Sequence, residues 1–312
     1  MHLRPILLAL TVSALATPAW AAPKVVTSIQ PIHALVSGVM AGVGEPLLLV
    51  PPGVSPHGFQ LRPSAAAALG AADLVVWVGE GLETFLAKPL DGLPDDGRIV
   101  ELVEADGVTR LESREGGAWE THGHGEAHEH EKGEHAHDEV DPHIWLSPAN
   151  AQAIVAAVAD ALGRVDAAHA ATYAANAAEL TARIGRLDSE LRTTLAPARD
   201  KPFIVFHDAF QYFEKAFALS GVGSITVAPD RPPSARRLAE LRQRIVDGGA
   251  VCVFGEPQTR TQLVDTIVEG TPARTGQLDA EGSAGLPAGP EGYLTLMRDN
   301  AAALVGCLAR AS

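Results

Sequence analysis

From Asp166 to Leu195 the chain reads DAAHAATYAANAAELTARIGRLDSELRTTL. Leu180, Ile184, Leu187, Leu191 and Leu195 recur at spacings of four, three, four and four, which puts them on one face of an α-helix. Asp166 offers an N-cap and Pro197 ends the run. At 1.5 Å per residue, about 28 residues span roughly 42 Å. Just upstream, Ser147-Pro148-Ala149 opens another, alanine-rich helix that runs to about Val165.

This helical block, 147–197, separates two stretches with a different rhythm. Before it, short β-rich runs at Val25 to Ile29, Leu47 to Val50, Leu74 to Val78 and Ile99 to Leu102 alternate with helical sequence. After it the same alternation returns at Phe203 to Phe206, Gly223 to Val227, Val251 to Phe254 and Arg274 to Leu278. The pattern predicts an α/β fold of two parallel-sheet lobes, 22–146 and 198–312, joined by a long rigid helix at about 167–195. Such a strut restricts hinge closure more than a flexible linker does.

The chain begins with Arg4 ahead of an apolar run from Ile6 to Leu15, followed by Ala19-Trp20-Ala21. That is the pattern of a secretory signal peptide, residues 1–21, removed after Ala21. The run is shorter than the roughly 20 residues of a membrane span, and no later segment supplies one, so the mature chain is expected to be exported without membrane insertion. Cys252 and Cys307 are the only cysteines. An even count in an exported chain suggests a disulfide, with two buried thiols as the alternative.

The formal charge is −14, and ten acidic residues against Arg114 and Lys132 concentrate more than half of it between Glu112 and Asp141. The remainder is mildly acidic and shows neither basic patch nor recognition motif, which excludes nucleic acid as an expected partner. The acidic segment also carries His122, His124, His128, His130, His135 and His137. It is too poor in apolar residues to build a core element. It reads as a metal-collecting loop, 112–141, because neutral imidazole binds zinc, copper and nickel and the carboxylates add charge; a solvated acidic linker is the bland alternative.

Five histidines remain outside the signal and the tract. His57 follows a strand in a loop stiffened by Pro51, Pro52, Gly53 and Pro56, and His207 ends the run Phe203-Ile204-Val205-Phe206. Both positions are strand ends, where parallel α/β sheets bind ligands. His143 stands in Asp141-Pro142-His143-Ile144-Trp145, where the tract rejoins ordered sequence. His33 reads as a capping or packing residue and His169 as a surface residue, while Arg274 and Glu80 read as structural. Asp208 is placed to orient His207. Glu256 and Asp279 end the last two strands and offer oxygen ligands.

The stretches Pro51-Pro52-Gly53-Val54-Ser55-Pro56-His57, Asp141-Pro142-His143-Ile144-Trp145-Leu146-Ser147-Pro148 and Phe206-His207-Asp208-Ala209-Phe210-Gln211-Tyr212-Phe213 closely resemble the periplasmic zinc-binding proteins of ABC importers, the ZnuA-like cluster A-I solute receptors. The resemblance extends over essentially the whole mature chain, and Gly276-Gln277-Leu278-Asp279 and the late cysteine pair add to it. It implies two α/β lobes bridged by a rigid helix, with His57, His143 and His207 as the three imidazole ligands of zinc. Related manganese receptors carry a carboxylate where this chain has His207. Some members carry a glutamate immediately before the first histidine, but Pro56 here has no ligating side chain. Asp279 then competes with water for the fourth position.

The expected function is periplasmic capture of zinc by a monomeric receptor and delivery to an inner-membrane ABC permease, without turnover. An open three-histidine zinc site also suits a hydrolase or hydratase. Against that, the chain has no HExxH helix, no nucleophile elbow and no clear general base. A periplasmic zinc buffer or metallochaperone, storing metal in the tract, is the third alternative.

Overall fold

The computed structural model describes residues 21–94, 97–114, 119, 140–226, 233–259 and 261–309. The expected signal peptide, residues 1–21, lies outside them except for Ala21, and so do the six tract histidines. The first half contains β1 (Val25–Thr27), α1 (Gln30–Val39), β2 (Leu47–Leu48), α2 (Pro63–Gly70), β3 (Leu74–Trp77), α3 (Thr84–Asp91) and β4 (Ile99–Glu101). The helices α4 (Pro148–Val165) and α5 (Ala170–Thr194) follow. The second half contains β5 (Pro202–His207), α6 (Gln211–Phe217), β6 (Ser220–Thr226), α7 (Ala235–Val246), β7 (Cys252–Gly255), α8 (Thr261–Val268), β8 (Arg274–Gln277) and α9 (Pro290–Leu308).

The strands form two four-stranded sheets, ordered β2-β1-β3-β4 and β6-β5-β7-β8, with every pairing parallel. The apolar runs of the central strands β1, β3, β5 and β7 follow from helices covering both faces. Val25 and Val76 of the first sheet face a central core, as do Phe203, Val205, Cys252 and Phe254 of the second. The neighbours Val26, Val75 and Trp77 pack with Leu69, Leu86 and Leu90 of α2 and α3. Ile204, Phe206 and Val253 pack with Leu241, Ile245, Val264 and Ile267 of α7 and α8.

The joining helix α5 has 25 residues, preceded by a 3-10 turn at Ala167–His169, and buries Tyr173, Ala177, Leu180, Ile184, Leu187 and Leu191. It pairs with α4, whose N-cap Ser147 accepts a hydrogen bond from the Asn150 amide. Asp166 does not cap through a backbone amide. Its Oδ2 instead accepts from Tyr173 Oη at 2.7 Å and meets His169 Nδ1 at 2.7 Å, tying the α4–α5 corner through side chains.

The connection between halves is broader than one strut. Helix α9 runs back from the second half to pack on α1, and a single hydrophobic cluster contains Leu35, Ile154 and Leu187 together with Phe203, Tyr293 and Met297. Three helices meet at Gly38, where a Cβ would stand 2.8 Å from Leu180 Cδ2 and 3.0 Å from Pro290 Cβ. Trp145 Nε1 donates to the Ala280 carbonyl at 2.8 Å, and Tyr293 Oη donates to the Trp145 carbonyl at 2.9 Å. The cysteine pair is a disulfide, Cys252–Cys307, tying β7 to α9. Among the described residues no helix is long and apolar enough to cross a membrane.

Candidate metal centre

In the second sheet the chain leaves β5 toward β6 on one side and β7 on the other, so a crevice opens at the carboxyl ends of β5 and β7. His207 is the last residue of β5, and Glu256 follows the last residue of β7. Glu256 Oε1 meets His207 Nδ1 at 2.5 Å and accepts from the His207 amide at 3.4 Å. His143 comes from the returning end of the tract. Asp141 Oδ1 accepts from its amide at 3.0 Å and meets its Nδ1 at 2.8 Å. That return point is itself pinned, because Glu112 and Val140 form an antiparallel bridge and Tyr212 Oη donates to the Asp141 carbonyl at 2.9 Å.

His57 arrives from the loop after β2. Its loop is fastened to the opposite half by the Gly53 amide donating to the Gly282 carbonyl at 3.0 Å and by Ser55 Oγ donating to Glu281 Oε1 at 3.1 Å. Gly282 is in the left-handed region at φ 88°, and a Cβ there would lie 2.8 Å from Gln30 Oε1, so only glycine fits this turn.

The three rings converge. Centroids lie 5.6 Å apart for His57–His143, 5.5 Å for His57–His207 and 5.1 Å for His143–His207. One ligand atom from each lies within 4.8 Å of the others. Because carboxylates hold Nδ1 of His143 and His207, their Nε2 atoms point inward, 3.2 Å apart. Zinc bound by nitrogens at about 2.0–2.1 Å in a tetrahedron separates them by about 3.3 Å, so this pair is already spaced for the ion. His57 Nε2 is buried and has no hydrogen-bond partner.

The electrostatics are those of a cation site. Burial, and then the neighbouring imidazoles, push the pKa of His57 well below the ordinary histidine value. Burial also depresses His143, with His207 adding to the effect. For His207 burial works in the same direction, but the Glu256 carboxylate overrides it and lifts the pKa to about 9. Without metal, one imidazolium at His207 can donate to Glu256 and His143, occupying the cluster with a single positive charge that a metal ion would replace.

Several expected roles change. Asp208 does not orient His207. It pairs with Arg114, whose guanidinium also binds Glu214 and stacks 3.5 Å from the Trp119 ring. Glu256 supplies the orienting hydrogen bond instead of acting as an oxygen donor facing the cluster. Neither Asp279 nor Glu281 has an oxygen within the histidine group itself, and the two differ in their partners. Asp279 Oδ1 accepts from the Glu281 and Gly282 amides and from Gln258 Nε2, and its Oδ2 accepts from the Ser283 amide at 2.6 Å. It shapes the turn after β8.

Among the described residues a carboxylate that sequence reasoning missed, Glu281, lies beside His57. Burial raises its pKa to about 8, and its Oε1 lies 3.9 Å from His57 Nε2. The only sequence signal was a second acidic residue two positions after Asp279. His33 is a packing residue with Nε2 3.1 Å from the Pro46 carbonyl, while His169 is half-buried against Asp166. Arg274 donates to the Cys307 carbonyl at 3.0 Å, a structural contact, and Glu80 is exposed.

Two helix-covered parallel sheets with a buried three-imidazole cluster between them define a two-lobed metal-binding protein. The family model described as the periplasmic component A of the zinc-uptake complex, ZnuA, matches residues 25–307. The chain is 43% identical over 307 residues to the high-affinity zinc uptake system protein ZnuA of Brucella suis, with 92% of each chain covered. It is 36% identical over 296 residues to the protein of that name from Yersinia pestis, again covering 92% of each. A crystal structure of ZnuA superposes with a TM-score of 0.76 at 25% identity, covering 92% of this chain and 99% of the other. The periplasmic zinc-binding protein TroA of Treponema pallidum superposes with a TM-score of 0.77 at 25% identity, covering 93% and 100%. This chain belongs to the ZnuA family.

Proposed function

We propose that this protein captures zinc in the periplasm and delivers it to an inner-membrane permease of the ABC type, holding the ion through Nε2 of His57, His143 and His207. One observation carries the reading. Three segments remote in sequence present imidazole nitrogens to one enclosed point, two of them braced by buried carboxylates. The names of the Brucella and Yersinia relatives supply the uptake context. An imidazole shell suits zinc, whereas manganese favours oxygen donors.

His143 and His207 are 2% and 0% exposed, which leaves little room for an organic substrate and favours capture over turnover. On this reading the leader is cleaved after Ala21, the mature chain is a monomer, and His122, His124, His128, His130, His135 and His137 form additional weaker sites.

Calorimetry tests the main site: His143→Ala and His207→Ala each lower zinc affinity by orders of magnitude, and unchanged affinity overturns the assignment. Deleting residues 115–139 lowers zinc stoichiometry and spares the tight site. Equal stoichiometry in that variant removes the collecting role.

A further inference from the structure

We infer that Glu281, not Asp279, closes the metal shell as its oxygen ligand, an assignment that rests on the three-histidine reading above. The two carboxylates have opposite surroundings. Asp279 has both oxygens engaged by amide donors of its own turn and of Gln258. Glu281 has a side chain only 3% exposed, and its Oε2 has no hydrogen-bond partner.

A buried carboxylate oxygen without a donor costs free energy, and native proteins rarely tolerate one without a functional cause. Here a second unpartnered polar atom, His57 Nε2, lies 3.9 Å from the other oxygen of the same carboxylate. A cation placed against the imidazole nitrogens takes up the lone pair of His57 Nε2 and meets the Glu281 carboxylate through Oε1, its oxygen 3.9 Å away, offsetting the buried charge that leaves Oε2 without a donor. Shortening the separation from 3.9 Å to about 3.3 Å, the ligand–ligand spacing of tetrahedral zinc, takes only a small torsional adjustment.

The surroundings fit a ligand held in readiness. Ser55 Oγ donates to Glu281 Oε1 from the loop that carries His57, so the two side chains approach the site as one unit. Asp279 aims Glu281 through the backbone, by accepting from the Glu281, Gly282 and Ser283 amides. Asp279 is thus a positioning residue. The charge also balances better: a divalent ion held by neutral imidazoles keeps its full charge in a buried site, and one carboxylate halves it.

The test uses the full mature chain. Competition titration gives zinc affinity, and X-ray absorption at the zinc edge together with the visible spectrum of the cobalt-loaded protein reports the shell. Glu281→Gln is expected to lower zinc affinity by at least about 10-fold, exchange the carboxylate for water in the absorption fit and shift the cobalt bands. Asp279→Asn, which loosens the turn that aims Glu281 without removing the ligand, is expected to lower affinity less than Glu281→Gln and to keep a carboxylate in the absorption fit. Parent-like affinity and spectra in Glu281→Gln overturn the proposal, as does a carboxylate lost from the shell of Asp279→Asn instead. Thermal melting of the metal-free protein controls for folding, and Glu281→Gln is expected to melt close to the parent because the isosteric amide keeps an oxygen that accepts from Ser55 Oγ. Failure of the histidine reading would look different, since His143→Ala would then leave the cobalt spectrum unchanged.

Discussion

Glu256 holds Nδ1 of His207 from the end of β7, so it sets both the tautomer and the direction in which Nε2 points. Its removal as Glu256→Ala is expected to weaken zinc binding by about 10- to 100-fold. Asp208→Asn, which loosens Arg114 rather than the imidazole, is expected to have a much smaller effect. Competition titrations that rank the two variants the other way would contradict this division of roles. A second carboxylate, Glu83, is fully buried, and its side chain accepts from the Val78 and Gly79 amides at 3.2 and 3.0 Å. Burial raises its pKa from 4.5 to about 7. The folded state therefore keeps a proton that the unfolded chain releases, so stability falls as pH rises from 4.5 to about 7. The shift corresponds to about 3 kcal/mol lost across that window. Urea unfolding of the metal-free protein at pH 5 and pH 7.5 checks it: Glu83→Gln is expected to lose less stability across that window than the parent, and parallel losses would refute the assignment.

The helix α5 earns its length from one apolar face. Leu187 on that face is 0% exposed and sits in the cluster that both halves share. Leu187→Ala is expected to cost about 2–5 kcal/mol, the range for deleting a buried leucine, whereas Glu179→Ala on the exposed face is expected to stay within about 0.5 kcal/mol. Denaturant midpoints with unchanged slopes would measure both. The face was legible from the four-three spacing, and the central strands β1, β3, β5 and β7 were legible from their apolar runs, whereas the polar edge strand β8, Arg274–Gln277, was legible only from its alternation with helices. The role of Asp166 was not legible. Whether a carboxylate caps an amide or binds Tyr173 and His169 depends on how the α4–α5 corner turns, which residue spacing does not encode.

At the scale of the whole molecule, the two halves are welded by α5, by α9 crossing onto α1, and by hydrogen bonds such as Trp145 to Ala280 and Gly53 to Gly282. Hinge closure would have to break a continuous core, which costs far more than one ion's binding contacts can repay. The radius of gyration from solution scattering is accordingly expected to change by less than about 1 Å on zinc addition, well under the several ångströms of a hinge-closing receptor. A large compaction would show that the lobes move as independent bodies. The sequence by itself determined the two α/β halves and the helix between them, because periodicity is a local property; it placed His57 and His207 at strand ends, and the resemblance to a known family added His143 to make the set of three. Only the tertiary structure decided which carboxylates serve the imidazoles. Asp141, Glu256 and Asp208 all stand near a histidine or a strand end in the sequence, yet folding gives the first two to His143 and His207 and the third to Arg114. It also leaves Glu281 buried beside His57 with an oxygen unpaired. Partner choice among buried charges is settled by which groups lose water together, and that is a property of the packed molecule.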